Sequence, residues 1–315
     1  MRVLVAGGAG FIGSHLCDRL IAEGHCVTAV DNLISGSVEN IHHLLNQAGF
    51  RFIRHDVTEP LPALAIDAIF NLASPASPPG YLRYPLKTAL ANSLGTYHLL
   101  ELARQNNARF LLASTSEIYG EPLEHPQRED YWGNVNPVGM RSCYDESKRF
   151  AEMLTTTFRR QHDLDVRIVR IFNTYGPRSD PEDGRLIPNF VTQALTGRPI
   201  TVYGDGTQTR SLCYVSDMVE GIVRAMYRDG ASSVIFNLGN PEEHTVREYA
   251  GLVKQLACSP SAIVYTEKIS EDDPSRRRPD ITRAKETLAW EPQVDLRSGL
   301  TSTIAWFRRR LGMAG

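Results

Sequence analysis

Val3-Leu4-Val5-Ala6-Gly7-Gly8-Ala9-Gly10-Phe11-Ile12-Gly13 runs from a short apolar stretch through spaced glycines into a segment of helical period. That order predicts a buried strand, a tight turn and the start of a helix. Gly7 suits the turn, Gly10 lets a pyrophosphate touch the backbone, and Gly13 lets helix and strand pack closely. The helix start, at Phe11 and Ile12, offers free N–H groups and a partial positive charge to phosphates. A glycine triplet alone is weak evidence. Asp31 strengthens it, because it ends the next predicted strand eighteen residues past Gly13. A carboxylate there accepts hydrogen bonds from adenosine ribose hydroxyls and repels a 2′-phosphate, so NAD is favoured over NADP. Asn32, Asp56-Val57 and Leu72-Ala73-Ser74 end strands on the same carboxyl edge, where adenine and a nicotinamide ribose are expected to lie.

The same rhythm of short apolar run and amphipathic stretch continues to residue 172. Strands are expected at Val3–Ala6, Val27–Asp31, Arg51–Arg54, Ala68–Leu72, Phe110–Ala113 and Val166–Ile171, with helices at Phe11–Ala22, Leu86–Gln105 and Tyr144–Gln161. Such alternation predicts an α/β fold, a doubly wound, Rossmann-like parallel sheet. Beyond Phe172, glycine and proline are frequent and the apolar runs shorten, so loop-rich material is expected to build a smaller C-terminal substrate-binding lobe. Val234–Leu238 reads as one more buried strand. The expected division is a NAD-binding domain over residues 1–172, joined by a returning strand near 234–239, and a nucleotide-sugar lobe over 173–315.

Composition excludes other classes. The chain has 315 residues, 42% hydrophobic and 22% charged, which is globular rather than disordered or fibrous. With 34 Lys plus Arg against 36 Asp plus Glu, no global charge draws it onto nucleic acid or anionic lipid. Cys17, Cys26, Cys143, Cys213 and Cys258 are odd in number and never spaced C-x-x-C, which argues against a disulfide framework or zinc site and for a reducing cytoplasm. The adjacent His42-His43 lacks metal-ligand spacing, so no catalytic metal is expected. No apolar run approaches a membrane span, and Val3–Ile12 is too broken by glycine for a signal peptide.

Tyr144 and Lys148 fall four residues apart on a predicted helix and share one face. A free tyrosine, with a pKa of about 10, is a poor base, but a nearby ammonium stabilises the phenolate. This pair is suited to exchanging a proton with a sugar hydroxyl. It is the only tyrosine in the chain with a lysine four residues on, and it follows a strand ending in Ser114-Thr115-Ser116-Glu117.

The glycine triplet, Asp31, Thr115 with Glu117 and Tyr119-Gly120, and Tyr144-x-x-x-Lys148 together resemble the extended short-chain dehydrogenase/reductase family. More narrowly the chain resembles its UDP-glucuronate decarboxylase (UDP-xylose synthase) branch, through Ala73–Pro79, Ser114–Gly120, Tyr131–Pro137, Arg141–Lys148, Asp205–Arg210 and Asp272–Asp280. The resemblance implies NAD-dependent oxidation at C4 of UDP-glucuronate with Tyr144 as base. Loss of CO₂ from the β-keto acid follows, then protonation at C5 and reduction to UDP-xylose, so that NAD is regenerated.

By the same resemblance Thr115 hydrogen-bonds the C4 oxygen, Lys148 tunes Tyr144 and binds the nicotinamide ribose, and Glu117 orients the substrate or a proton-donating water. Arg277, the middle of three arginines, engages the carboxylate or its surroundings. Ser116 stands where nucleotide-sugar 4,6-dehydratases carry an aspartic acid, and serine is too weak an acid for that elimination. Arg185 and Arg210 are candidates for the diphosphate, since guanidinium forks match phosphate oxygens. Tyr203 and Gln208 are candidates for uracil or ribose, Asn173 for the diphosphate, and Tyr81 for closing over the sugar. Three arginines at the chain's end, Arg308–Arg310, read as a solvated patch. The alternatives are another nucleotide-sugar dehydratase or 4-epimerase, or a non-catalytic NAD sensor. A homodimer is expected through the faces of Leu86–Gln105 and Tyr144–Gln161.

Overall fold

A computed structural model describes residues 1–229, 235–267 and 276–313. The β-branched and leucine-rich runs of the first half become strands, most of them buried on both faces, which suits a central parallel sheet, while Phe50–Arg54 at its edge is partly exposed. In order these elements are β1 (Arg2–Ala6), α1 (Phe11–Ala22), β2 (Cys26–Asp31), β3 (Phe50–Arg54), β4 (Ala68–Asn71), α2 (Pro78–Arg83), α3 (Pro85–Leu90), α4 (Thr96–Asn106), β5 (Arg109–Thr115), α5 (Ser142–His162) and β6 (Val166–Ile171). One π-helical turn, Ala91–Gly95, joins α3 to α4, so the helix expected over Leu86–Gln105 is present as a continuous rod.

The second half adds β7 (Thr174–Tyr175), α6 (Leu186–Leu195), β8 (Ile200–Tyr203), β9 (Thr209–Ser211), β10 (Cys213–Tyr214), α7 (Val215–Tyr227), β11 (Ile235–Leu238), β12 (Glu243–Thr245), α8 (Val246–Leu256), β13 (Ile263–Thr266), α9 (Thr282–Leu288) and α10 (Leu296–Arg310). This half is therefore more helical than its glycine and proline content predicts. Amphipathic faces of α6, α8 and α10 pack into a core of their own, where Phe190, Val191, Tyr249, Val253, Leu300 and Phe307 meet, while α7 and α9 pack with the first half. Val234, expected to open the returning strand, lies outside the described residues.

Seven strands form one sheet in the order β3-β2-β1-β4-β5-β6-β11, every neighbouring pair parallel. The doubly wound sheet is thus present, and β11 returns to its edge beside β6. Alternate residues of β1 feed opposite layers: Val3 and Val5 pack with Leu16, Leu20, Met218 and Ile222, while Leu4 packs with Leu99, Leu100 and Phe158. Burying each such side chain contributes about 1.5–3 kcal/mol. Strand order reverses between β1 and β4, and this type of sheet binds ligands outside its carboxyl edge at such a point.

Candidate active site

That edge opens onto a cavity of about 450 Å³, walled by the glycine loop, the ends of β4 and β5, the start of α5 and loops of the second half. A smaller pocket of about 60 Å³ shares Gly7, Gly10, Leu72 and Ser74 with it and adds Asp31, Asn32, Val57 and Ala73.

The loop residues Gly7, Gly10, Phe11, Ile12 and Gly13 line the large cavity. Gly7 has φ +79°, and a Cβ there would lie 2.7 Å from the Leu72 carbonyl oxygen. A Cβ on Gly13 would overlap the Gly7 carbonyl oxygen. The glycines are thus required by the close approach of backbone to backbone. The first N–H groups of α1 lack partners within the helix and no side chain caps its start. Such a cradle fits a pyrophosphate.

Asp31 is buried, with Oδ2 accepting from Ala9 N at 3.1 Å and Oδ1 from Leu33 N at 2.8 Å. Burial pushes its carboxyl upward and the two N–H groups oppose this. Each carboxylate oxygen keeps a further lone pair for a ribose hydroxyl. Asp56 lines neither cavity; its carboxylate accepts from Asn32 Nδ2 at 2.9 Å and from Thr58. It fixes Asn32, which does reach the pocket.

α5 places Tyr144 and Lys148 on the buried face that also carries Ala151, Thr155 and Phe158. Lys148 Nζ donates to the Ala113 carbonyl of β5 at 2.8 Å. Burial lowers the Lys148 pKa to about 7, with Glu152 pulling the other way. Tyr144 is pushed up to about 12 by burial, against a hydrogen bond from Thr115. Lys148 Nζ, expected to stabilise the phenolate, is here turned onto β5 and lies 5.9 Å from the Tyr144 ring centroid. Thr115 Oγ1 also accepts from Glu117 N at 3.2 Å, which aims the hydroxyl at the site.

Glu117 accepts from Arg277 Nη2 at 2.6 Å and from Arg141 Nη2, while Ser116 Oγ donates to its other oxygen at 3.3 Å. Of the three consecutive arginines, Arg277 is the buried one that lines the cavity. Arg276 is exposed, and the Arg278 N–H donates to Gln127 Oε1 at 2.9 Å. Of the resembling stretch Asp272–Asp280, the first four residues lie outside the described ones. Asn173, Arg185 and Tyr81 also line the cavity; Arg185 pairs with Asp183 at 2.5 Å, and Tyr81 stacks on Tyr144.

Tyr203, Gln208 and Arg210 do not line either cavity. Tyr203 is exposed, Gln208 Nε2 turns back to the Tyr203 carbonyl at 2.8 Å, and Arg210 Nη1 donates to the Thr209 carbonyl at 2.8 Å. Arg141, which no motif argument singled out, is a wall residue and a partner of Glu117. Its place three residues before Tyr144, one helical turn away, was the available signal. Arg310, read as solvated, lines the cavity and pairs with Glu39.

A family model described as "NAD dependent epimerase/dehydratase family" matches residues 3–239. UDP-glucuronic acid decarboxylase 1 of Danio rerio is 52% identical over 310 residues, 98% of this chain and 73% of that protein. UDP-glucuronic acid decarboxylase 4 of Arabidopsis thaliana is 54% identical over 311 residues, 99% of this chain and 69% of that protein. A solved structure of UDP-glucuronic acid 4-epimerase from Bacillus cereus, in complex with UDP-glucuronic acid and NAD, superposes with a TM-score of 0.88 at 27% identity, covering 98% of this chain and 100% of that one.

Proposed function

The chain belongs to the NAD dependent epimerase/dehydratase family, and from that membership we propose that it converts UDP-glucuronate to UDP-xylose through a UDP-4-keto intermediate. It is a carboxy-lyase with NAD as an internally recycled cofactor. The observation that carries this reading is the meeting, in one cavity, of Tyr144, Thr115 and Lys148 with the Glu117–Arg141–Arg277 cluster. The full-length likeness to UDP-glucuronic acid decarboxylases supports it.

NAD, when bound, accepts hydride from C4 and returns it to the ketone, so it ends each cycle as it began. Gly7, Gly10, Phe11, Ile12 and Gly13 hold its pyrophosphate, while Asp31 and Asn32 face its adenosine ribose. Tyr144 Oη takes the proton of the C4 hydroxyl, and Thr115 orients that oxygen. The ketone so formed is β to the carboxylate, and CO₂ leaves as its electrons pass into the enolate. That expulsion needs no acid, which suits Ser116 beside Glu117. Arg141 and Arg277 supply cationic partners for the sugar carboxylate, while Asn173 and Arg185 face the diphosphate. Tyr203 and Gln208 serve uracil or ribose and Arg210 the diphosphate, which requires the β8–β9 segment to move toward the cavity they do not line. Residues 1–172 with β11 form the NAD-binding part, and 173–315 the nucleotide-sugar part.

All five cysteines are free thiols, which supports a reducing, cytoplasmic setting. Among the described residues no helix is long and apolar enough to cross a membrane. Leu86, Leu90, Leu94 and Tyr97 on the α3–α4 rod and Phe150 and Met153 on α5 are exposed, a stripe suited to a second copy of the chain. Gel filtration at micromolar concentration tests this, and a monomer would remove the homodimer.

The activity test incubates the protein with UDP-glucuronate and NAD⁺ and follows the nucleotide sugar by mass spectrometry and proton NMR. UDP-xylose with loss of CO₂ and no net NADH is expected. Inversion at C4 without loss of mass would assign an epimerase instead.

A further inference from the structure

Behind the cavity wall, Asp145 is buried, and Asp145 Oδ1 has no hydrogen-bond partner. Among the described residues it is the only carboxyl group with such an orphaned buried oxygen. Its Oδ2 lies 3.9 Å from Nε of Arg141, whose Nη2 donates to Glu117. The groups that act most strongly on its charge come from several elements. Glu117 comes from the turn after β5, Arg141 from the approach to α5, Arg277 from the second half of the chain, and Tyr81 from α2. Cys143, Tyr144 and Glu146 flank Asp145 on α5 itself.

Glu117, Asp145, Arg141 and Arg277 together leave no net charge when all are ionised, and Glu146 beside them adds a further negative one. A substrate carboxylate entering this nest adds another negative group that no additional cation balances. A proton on Glu117 or Asp145 offsets it. Glu117 is the costlier to protonate, because two guanidiniums and Ser116 hydrogen-bond its ionised form. Asp145 receives no such donor on Oδ1. Burial and the Glu117 charge already push its carboxyl far above the ordinary range, outweighing Arg141 and Arg277.

We propose that Asp145 takes up a proton when the sugar carboxylate binds, and that it acts through Arg141, which is then released to serve Glu117 and the substrate. Asp145 is a positioning residue: it touches neither the sugar nor the cofactor. The inference rests on UDP-glucuronate being the ligand. The uptake balances as E–CO₂⁻ + H⁺ + S–CO₂⁻ → E–CO₂H·S–CO₂⁻. It fits the overall stoichiometry, since R–CO₂⁻ + H⁺ → R–H + CO₂ consumes one proton for each CO₂ released.

The test is calorimetric titration of UDP-glucuronate into the full-length, NAD⁺-loaded Tyr144→Phe protein, which halts turnover. Titrations in two buffers of different ionisation heat count the protons exchanged. At neutral pH, roughly half a proton or more should be taken up, and UDP-glucose, which has no carboxylate, should take up none. Adding Asp145→Asn should bring the UDP-glucuronate uptake close to zero, and adding Glu117→Gln, which takes one negative charge out of the nest, should lower it as well. Undiminished uptake in the Asp145→Asn protein would overturn the proposal. A merely structural Asp145 would change stability without moving the proton count. Should the Asp145→Asn protein fail to bind NAD⁺, the parent decides by itself. Its uptake must fall as pH is lowered toward 5, where Asp145 already carries the proton, and uptake constant from pH 5 to 8 contradicts the proposal. Binding without uptake sinks this inference alone, while absence of UDP-glucuronate binding sinks the functional reading beneath it.

Discussion

The rings of Tyr81 and Tyr144 stack with centroids 5.1 Å apart and planes 6° from parallel, so a short helix that precedes the α3–α4 rod holds the proposed base in place. Tyr81 is 1% exposed, yet its phenolic oxygen has no hydrogen-bond partner in the protein. The ring therefore supplies the packing, and the hydroxyl is left for a ligand. Tyr81→Phe keeps the stack and removes an unpaired buried polar group, so the stability measured by urea unfolding should stay level or rise. Tyr81→Ala loses the stack and leaves a void, and should cost about 3–5 kcal/mol. Equal losses from the two variants would show that the hydroxyl, not the ring, carries the stability.

Replacing Tyr144 by phenylalanine preserves that stack and the buried face of α5 while removing the one atom that accepts the C4 proton. Turnover should fall by about 10²–10⁴ or more, the range of a lost acid–base group. NAD⁺ affinity, followed by fluorescence titration, should change little, because the glycine loop and Asp31 are untouched. The reverse pattern, binding lost and turnover kept, would overturn the assignment of roles.

How far the sequence foretold this site depends on the range of the interaction. α1 begins and ends where its apolar period does, and Val166–Ile171 forms β6 with the expected limits, because a doubly buried strand and a one-sided helix carry their own pattern. Tyr144 and Lys148 were legible for the same local reason. Arg310 was not: it reaches the cavity only because α10 packs in the second core and turns its last residues toward Glu39, a long-range closure with no local signal. Tyr203, Gln208 and Arg210 differ in the opposite direction, lying outside the cavity lining. Their stretch follows a family pattern, yet β8 pairs with β13 and β9 with β12, and this pairing leaves their side chains outside the cavity lining.

Lys148 gives a pH signature. Its folded pKa of about 7 lies below the usual 10.5, so the unfolded chain binds more protons between those values, and stability should rise as pH climbs through that window. Below pH 7 the protein carries the full cost of a buried ammonium, at about 1.4 kcal/mol for each tenfold loss of proton affinity. Lys148→Met removes that cost. Urea unfolding should find the variant more stable than the parent at pH 6, with the gap narrowing as pH rises from 7 toward 10.5, even though turnover is lost. A variant no more stable at pH 6 would mean that the Ala113 carbonyl and Glu152 already compensate the charge.

Gly10 and Gly13 separate the requirements of the fold from those of the cofactor. A Cβ on Gly13 falls on the Gly7 carbonyl oxygen, a backbone atom inside the turn that joins β1 to α1. Gly13→Ala must therefore push the helix away from the sheet, and overpacking of this kind costs about 1–3 kcal/mol or more despite alanine's better helix propensity. A Cβ on Gly10 meets only that same oxygen, at 3.1 Å, and Gly10 has an ordinary φ of −75°. Gly10→Ala should fold with a thermal midpoint near the parent's, because a small local adjustment is offset by the lost freedom of the unfolded chain. Gly10 lines the cavity where the pyrophosphate is proposed to rest, so NAD⁺ affinity should drop by about tenfold or more, ~1.4 kcal/mol. Thermal melts with and without saturating NAD⁺ read both effects at once: Gly13→Ala should lower the midpoint in both conditions, and Gly10→Ala should lose only the ligand-induced rise. A normal rise in the Gly10→Ala protein would place the pyrophosphate somewhere other than the start of α1.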